Sequence, residues 1–235
     1  MTNEQKGDTK EFWENQICGS GNHFNRYPYD QVIRFIYRNY PRNKERKNVR
    51  VLEMGSGAGN NLWFASREGF SVTGIEGSST AVEFARKRFA DENLDGNFVV
   101  GDFTNLPFEN NFFEITVDRA FITCCGWEDT IKAVCRVHCV LVPGGKFFFN
   151  AYSDRHPSFA SGPFNTDGTI VQIERGSLKC IRHIYFYSHN QIKQLFHPEK
   201  WKTHQCQHIE INELERDDYE VPAKWLVIAE KICHD

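Results

Sequence analysis

Residues 51–61, VLEMGSGAGNN, hold the chain's most specific chemistry: an apolar strand delivers Glu53 into a turn that carries Gly55, Gly57 and Gly59. Glycine lets the backbone bend sharply and leaves room for a ligand to approach it, so the turn reads as an open cradle with Ser56 and Asn60 as its polar lining. A pyrophosphate site in a doubly wound sheet asks for G-x-G-x-x-G, whose third glycine lets helix and strand pack closely. Asn60 stands where that glycine would fall. A carboxylate from Glu53 would repel a dianion and favour a cationic group. The stretch therefore points to an adenosine-containing ligand with positive charge, and NAD is the runner-up because Glu76 also lies roughly 20 residues beyond the glycines.

The E-x-G-x-G-x-G pattern after a VLE strand resembles motif I of class I S-adenosylmethionine-dependent methyltransferases, whose cofactor carries an ammonium and a sulfonium. The resemblance runs along roughly residues 49–151. It implies that Glu76, followed by Gly77 and Ser78, binds the ribose hydroxyls. Within GDFTNLPF it implies that Asp102 bonds the adenine amine, while Phe103 offers its backbone amide and an apolar wall. Asp118, Arg119 and Ala120 would lie along the methionine part of the cofactor, and Arg26 and Tyr27 are candidates for its carboxylate. Simpler roles stand beside these. Asp102 and Glu76 are also good helix caps, and a Tyr-Pro turn can pack on a core without touching a ligand.

Methyl transfer is an in-line displacement, so alignment of the acceptor can supply several kcal/mol, about 7–11 in ideal cases, and a base is useful rather than obligatory. Three histidines are candidate bases, since imidazole titrates near neutral pH. His156 lies in NAYSDRHPSF after the fifth strand, with Tyr152, Asp154 and Arg155 beside it. His183 sits in the apolar run LKCIRHIYFY, and His23 in the amino-terminal loop. A His-Pro turn and a core histidine are the structural alternatives for the first two. Phe159, Phe164, Tyr185, Phe186 and Tyr187 would suit the floor of an acceptor pocket or simply a packed core.

The elements that must position these groups alternate regularly. Strands are expected at 49–54, 71–76, 97–101, 112–118 and 145–151, with helices at 60–68, 79–93 and 127–140. This rhythm implies an α/β, Rossmann-like sheet, mostly parallel and seven-stranded, with helices on both faces and a terminal antiparallel hairpin near 201–211 and 222–232. Ligands then bind at the carboxyl ends of the parallel strands, where all four cofactor elements fall. Residues 1–45, with FWENQIC and YDQVIRFIYRNY as helices, are expected to form a lid over the methyltransferase domain at 46–235. Residues 152–187 are expected to be a substrate-side insert, followed by a helix capped by Ser188.

The chain has 235 residues, 40% of them hydrophobic, and a formal net charge of −3. That size suits one core with an appended lid. The charge gives no global pull toward nucleic acid, and KERKNVR at 44–50 reads as a solvated loop. No apolar stretch approaches the length of a membrane span and no secretory signal is visible, so a cytoplasmic location is expected. Cys18, Cys124, Cys125, Cys135, Cys139, Cys180, Cys206 and Cys233 lack paired metal-ligand spacing. Reduced thiols and no metal site are expected.

The NRYPYD segment and the GNNLWFA helix are similar to a subgroup of bacterial enzymes associated with surface-polysaccharide biosynthesis. That resemblance implies a small, sugar-like acceptor methylated on oxygen. An amino sugar or small amine methylated on nitrogen, and a phosphorylated acceptor, are alternatives. A cofactor-binding regulatory or assembly subunit without turnover is the non-enzymatic rival.

Overall fold

The computed structural model describes residues 25–179, 181–215 and 221–232. The expected helix at FWENQIC, and with it His23, Cys18, Cys180 and Cys233, lies outside the described residues.

Helix α1 (Asp30–Asn39) is followed by strand β1 (Arg50–Met54), helix α2 (Asn60–Arg67), strand β2 (Ser71–Glu76), helix α3 (Ser79–Asp91) and strand β3 (Asn97–Val100). Next come β4 (Phe113–Arg119), helix α4 (Trp127–Val140) and the long strand β5 (Leu141–Tyr152). Two short strands, β6 (Ile170–Val171) and β7 (His183–Ile184), precede helix α5 (His189–Leu195) and the closing pair β8 (Trp201–Glu210) and β9 (Ala223–Lys231). The main sheet runs β3-β2-β1-β4-β5-β9-β8. Its first five strands pair in parallel, and β9 joins antiparallel to both β5 and β8. The reversal of strand order at β1 and β4 opens the crevice in which such sheets bind ligands.

Each face of the sheet closes a core. On one face Val51, Val72, Ile115, Val117, Phe148 and Leu226 pack with Val32, Phe35 and Ile36 of α1 and with residues of α2 and α3. Phe35 meets Phe148 with ring centroids 5.2 Å apart. On the other face Leu52, Met54, Phe147, Phe149 and Val227 pack with α4 and α5. Strand residues are apolar on both sides because helices cover both, as a buried parallel sheet requires. Helix α1 thus belongs to the core through its apolar stripe, and the segment at 25–29 ahead of it reaches the ligand end.

One difference from the sequence expectation has a local cause. Strand β5 begins at Leu141, which pairs with Phe113. The register then jumps to Lys146 against Ile115, so VPGG is a bulge inside the strand rather than a turn before it. Gly144 takes φ 76°, a left-handed conformation that suits the bulge. Among the described residues of the apolar run at 178–187, His183–Ile184 form a strand, against Ile170–Val171. This pair closes a small third core of Cys124, Ile170, Ile173, Leu178, Ile184 and Phe186 beneath the insert.

The insert is fixed to the loop after β4. The Tyr185 amide donates to the Thr123 carbonyl at 2.7 Å, and the Tyr187 hydroxyl and Thr130 hydroxyl share a 2.8 Å bond. The Trp225 indole donates to the Tyr187 carbonyl at 2.7 Å. The packing therefore holds the insert against the ligand end of β4 and β5.

Candidate active site

Three backbone excursions build the floor. Gly55, Gly57 and Gly59 all have positive φ, 61°, 50° and 71°. At Gly57 a side chain would meet nothing within 4 Å, so the backbone there faces open space. Gly55 is different: an added Cβ would lie 2.1 Å from the Phe121 ring, which rests directly on its backbone.

Buried carboxyl groups surround this turn. Glu53 accepts from the Asn61 side-chain amide at 2.6 Å through Oε1, while its Oε2 is buried without a hydrogen-bond partner. Asp118, at the end of β4, accepts the Phe121 and Ile122 amides at 3.0 Å each through Oδ1. Its Oδ2 is likewise buried and unpartnered. Burial pushes the Glu53 carboxyl up to about 8 against the relief of its bond to Asn61. Burial pushes Asp118 up to about 7 despite its two amide donors. Two such oxygens beside an open glycine turn would be satisfied by a ligand that brings positive charge and N–H donors.

Glu76 braces the cradle. Its Oε2 accepts the Gly57 amide and its Oε1 the Ser78 amide, both at 3.0 Å. Gly77 has open space where a Cβ would point. Ser78 caps α3 by accepting from the Ala81 amide at 3.1 Å. Ser56 is buried with its hydroxyl toward β2, where a Cβ on Gly74 would lie 2.5 Å from Oγ, so only its backbone lines the turn.

The segment ahead of α1 is tied to the same place. The Asn60 side chain donates to the Tyr27 carbonyl at 2.8 Å. The Tyr29 amide donates to Asn61 Oδ1 at 2.9 Å. A relay thus runs from Tyr29 through Asn61 to Glu53. The Arg119 guanidinium stacks on the Tyr29 ring at 4.0 Å.

Residues 51–145 match the family described as a methyltransferase domain. That stretch of the chain is similar to methyltransferase domains. The protein is 30% identical over 134 residues to the phthiotriol/phenolphthiotriol dimycocerosates methyltransferase of Mycobacterium leprae, a match covering 56% of this chain and 47% of that protein. It is 37% identical over 75 residues to the demethylmenaquinone methyltransferase of Thermotoga maritima, covering 31% of each chain. The match thus spans about half, or less, of the length of these curated relatives. In fold it is similar to an S-adenosylmethionine-dependent methyltransferase from Methanosarcina mazei, with a TM-score of 0.69, 19% identity, and coverage of 88% of this chain and 100% of that one.

The expected cofactor residues do not all share one place. Glu53, Gly55, Gly57, Glu76, Gly77, Asp118 and Arg119 converge on the crevice. Asn60, Ser56 and Ser78 serve it from behind, through the Tyr27 carbonyl, the sheet and the helix cap. Asp102 is exposed and caps the short turn at Phe103–Asn105, accepting from the Thr104 amide at 2.8 Å and hydroxyl at 2.7 Å. The Phe103 ring meets Phe121 edge-on at 4.8 Å, so Phe103 and Phe121 form one apolar wall. The Tyr27 side chain is 71% exposed and Arg26 is exposed, and the ring brought onto the crevice from this segment is that of Tyr29.

Of the candidate histidines, His156 sits in an environment that does not suit a base. His156 is buried and stacked against Tyr152 and Phe186 at 5.4 and 5.8 Å. Its Nδ1 accepts the Ser158 amide at 3.1 Å. Burial and the nearby Lys224 ammonium push it down to about 4. It is a weak base that pins the insert to Tyr152. His183 is buried in β7 opposite Val171.

Asn61, Phe121, Tyr29 and Lys224 escaped the sequence reading. Asn61 could have been found, since a second amide in the first turn of α2 faces back toward Glu53. The other three are brought in by register and packing alone. Among the described residues no group of three or more His, Cys, Asp or Glu is arranged to hold a metal ion, and no helix is long and apolar enough to cross a membrane.

Proposed function

We propose that the protein transfers a methyl group from S-adenosylmethionine to a small-molecule acceptor. The observation that carries this reading is the pair of buried, unpartnered oxygens, Glu53 Oε2 and Asp118 Oδ2, beside the open backbone at Gly57. These residues fit the cofactor: the two carboxyls would receive its ammonium, and Glu76 with Gly57 and Gly77 would face its ribose. Phe103 and Phe121 would enclose its adenosine, and Asp102 would meet the adenine amine. When bound, the cofactor supplies a methyl group made electrophilic by its sulfonium. The protein's own part is to position the acceptor, exclude water with the Tyr29 segment and the 152–187 insert, and hold charge in place. None of the candidate histidines is required as a base in this reading.

The acceptor is proposed to be sugar-like and methylated on oxygen, supported by the polar groups Tyr152, Arg119 and Lys224 at the acceptor side. A second reading, a lipid phenol or quinone-type ring, is favoured by the Mycobacterium leprae phthiotriol/phenolphthiotriol dimycocerosates methyltransferase and the Thermotoga maritima demethylmenaquinone methyltransferase, and by the aromatic insert. Calorimetry with S-adenosylhomocysteine tests the cofactor assignment. Its release from S-adenosylmethionine with nucleotide sugars, amino sugars, phosphorylated sugars and phenols then ranks the acceptors. No binding of S-adenosylhomocysteine to the folded protein would overturn the reading.

A further inference from the structure

Strands β4, β5 and β9 place one face of the ligand end under two cations. Arg119 pairs in register with Asn150, two residues before Tyr152, and Tyr152 pairs directly with Lys224. Side chains two apart on a strand share a face, so Arg119, Tyr152 and Lys224 project on the face that also bears Glu53 and is covered by α1. The Lys224 ammonium lies 5.8 Å from the Tyr152 ring, and the charge of Arg119 acts on the Tyr152 hydroxyl, opposing the upward push of burial. Other half-buried cations are matched differently: Arg50 shares Glu114 with the exposed Lys44, Arg46 has Glu68, and Arg136 is satisfied by the Leu106 and Phe108 carbonyls and Asn110 Oδ1. Lys146 has Glu230. Among the described residues neither Arg119 nor Lys224 has an ion pair, and burial and Arg119 together hold Lys224 below the usual lysine range. The nearest acids, Glu53 and Asp118, are deep, favour their neutral forms, and are matched to the cofactor's ammonium.

We propose that Arg119, Tyr152 and Lys224 form an oxyanion subsite that holds a phosphate or carboxylate group of the methyl acceptor. The proposal rests on the methyltransferase reading. A bound oxyanion would cancel the repulsion between the two cations and accept from guanidinium, phenol and ammonium donors, which are the strong, charge-assisted kind. The acceptor would thereby be anchored at the end away from the methylated atom, leaving that atom free to be aligned.

The test uses the full chain loaded with S-adenosylhomocysteine, with inorganic phosphate and acetate titrated separately and followed by calorimetry. Lys224→Met keeps an apolar stem against Tyr152, Lys224→Arg restores the charge, and Lys224→Gln serves if the methionine variant does not fold. The expected result is that all variants bind S-adenosylhomocysteine as the wild type does. The anion should bind the loaded wild type and Lys224→Arg, and about tenfold or more weakly the Met or Gln variant. Tighter phosphate than acetate assigns a phosphorylated acceptor, and the reverse a carboxylate. Equal anion binding in Lys224→Met, or no saturable binding to the loaded wild type, would overturn the subsite. Anion binding that is lost on loading would assign Arg119 to the cofactor's own carboxylate and overturn it too. Failure of S-adenosylhomocysteine to bind the wild type would instead remove the methyltransferase reading on which the acceptor assignment stands.

Discussion

At the scale of single residues, the domain holds carboxyl groups that are costly until a ligand arrives. Glu53 and Asp118 are pushed by burial to about 8 and 7, so both are largely neutral in the free protein at pH 6. A cationic ligand must ionise them. S-adenosylmethionine binding is therefore expected to tighten as pH rises from 6 toward 8 and to release protons, seen as a heat that depends on the ionisation enthalpy of the buffer. The gain ends near pH 8, where an α-amino group begins to deprotonate. Glu53→Gln should flatten the profile. The sign for stability is opposite in sense: a carboxyl raised on folding favours the folded state at low pH, and that contribution is lost as pH rises from the unfolded carboxyl range through about 8. Asn61→Ala removes the amide that donates to Glu53 Oε1 and the acceptor for the Tyr29 amide. It should destabilise the protein by about 1–3 kcal/mol in a denaturant titration and weaken S-adenosylhomocysteine binding as well.

Elements decide how sharply those residues are held. The glycine turn joins β1 to α2 with three left-handed residues, a geometry that side chains resist. Gly57→Ala places a Cβ in open space, so its stability cost should be only the backbone strain, about 1–2 kcal/mol. The same methyl group projects into the cradle, so cofactor affinity should fall by more than stability does, measured by calorimetry beside a melting curve. Helix α5 shows the ordinary use of such signals: Ser188 and Gln191 form a reciprocal capping box. Ser188→Ala should cost about 1 kcal/mol without affecting cofactor binding. Strands β1 to β4 and helices α2 to α4 lie within two residues of where hydrophobic periodicity and turn residues put them. The VPGG bulge was not legible, because a Pro-Gly-Gly run signals a turn locally, and only pairing to β4 keeps it inside a strand.

Across the whole molecule, helices, hairpin and insert close around one crevice. A ligand that binds only the folded chain stabilises it by about 2.7 kcal/mol at one hundred times its dissociation constant. For a domain of this size that should raise the midpoint of thermal unfolding by about 5–10 °C. S-adenosylhomocysteine is expected to do so in a single cooperative transition, read by calorimetry. His156 belongs to this scale rather than to catalysis. His156→Ala should lower the melting temperature by loosening the insert from Tyr152, and it should leave the pH–rate profile between pH 5 and 8 without a lost limb. A profile that lost its dependence in that range would return the base role to His156.

The sequence alone determined the alternating order of elements, the glycine turn behind Glu53 and the acids ending β2 and β4. Those features are local: they follow from backbone sterics, from the two periods of strand and helix, and from residues a few positions apart. Tertiary structure alone decided which oxygens remain unpartnered, that His156 is sealed beneath the insert, and that Phe121 rests on Gly55. It also brought Lys224, far along the chain, beside Tyr152 and Arg119. Hydrogen-bond satisfaction, burial and cross-strand register depend on residues that meet only after the sheet closes, so spacing along the chain carries no record of them.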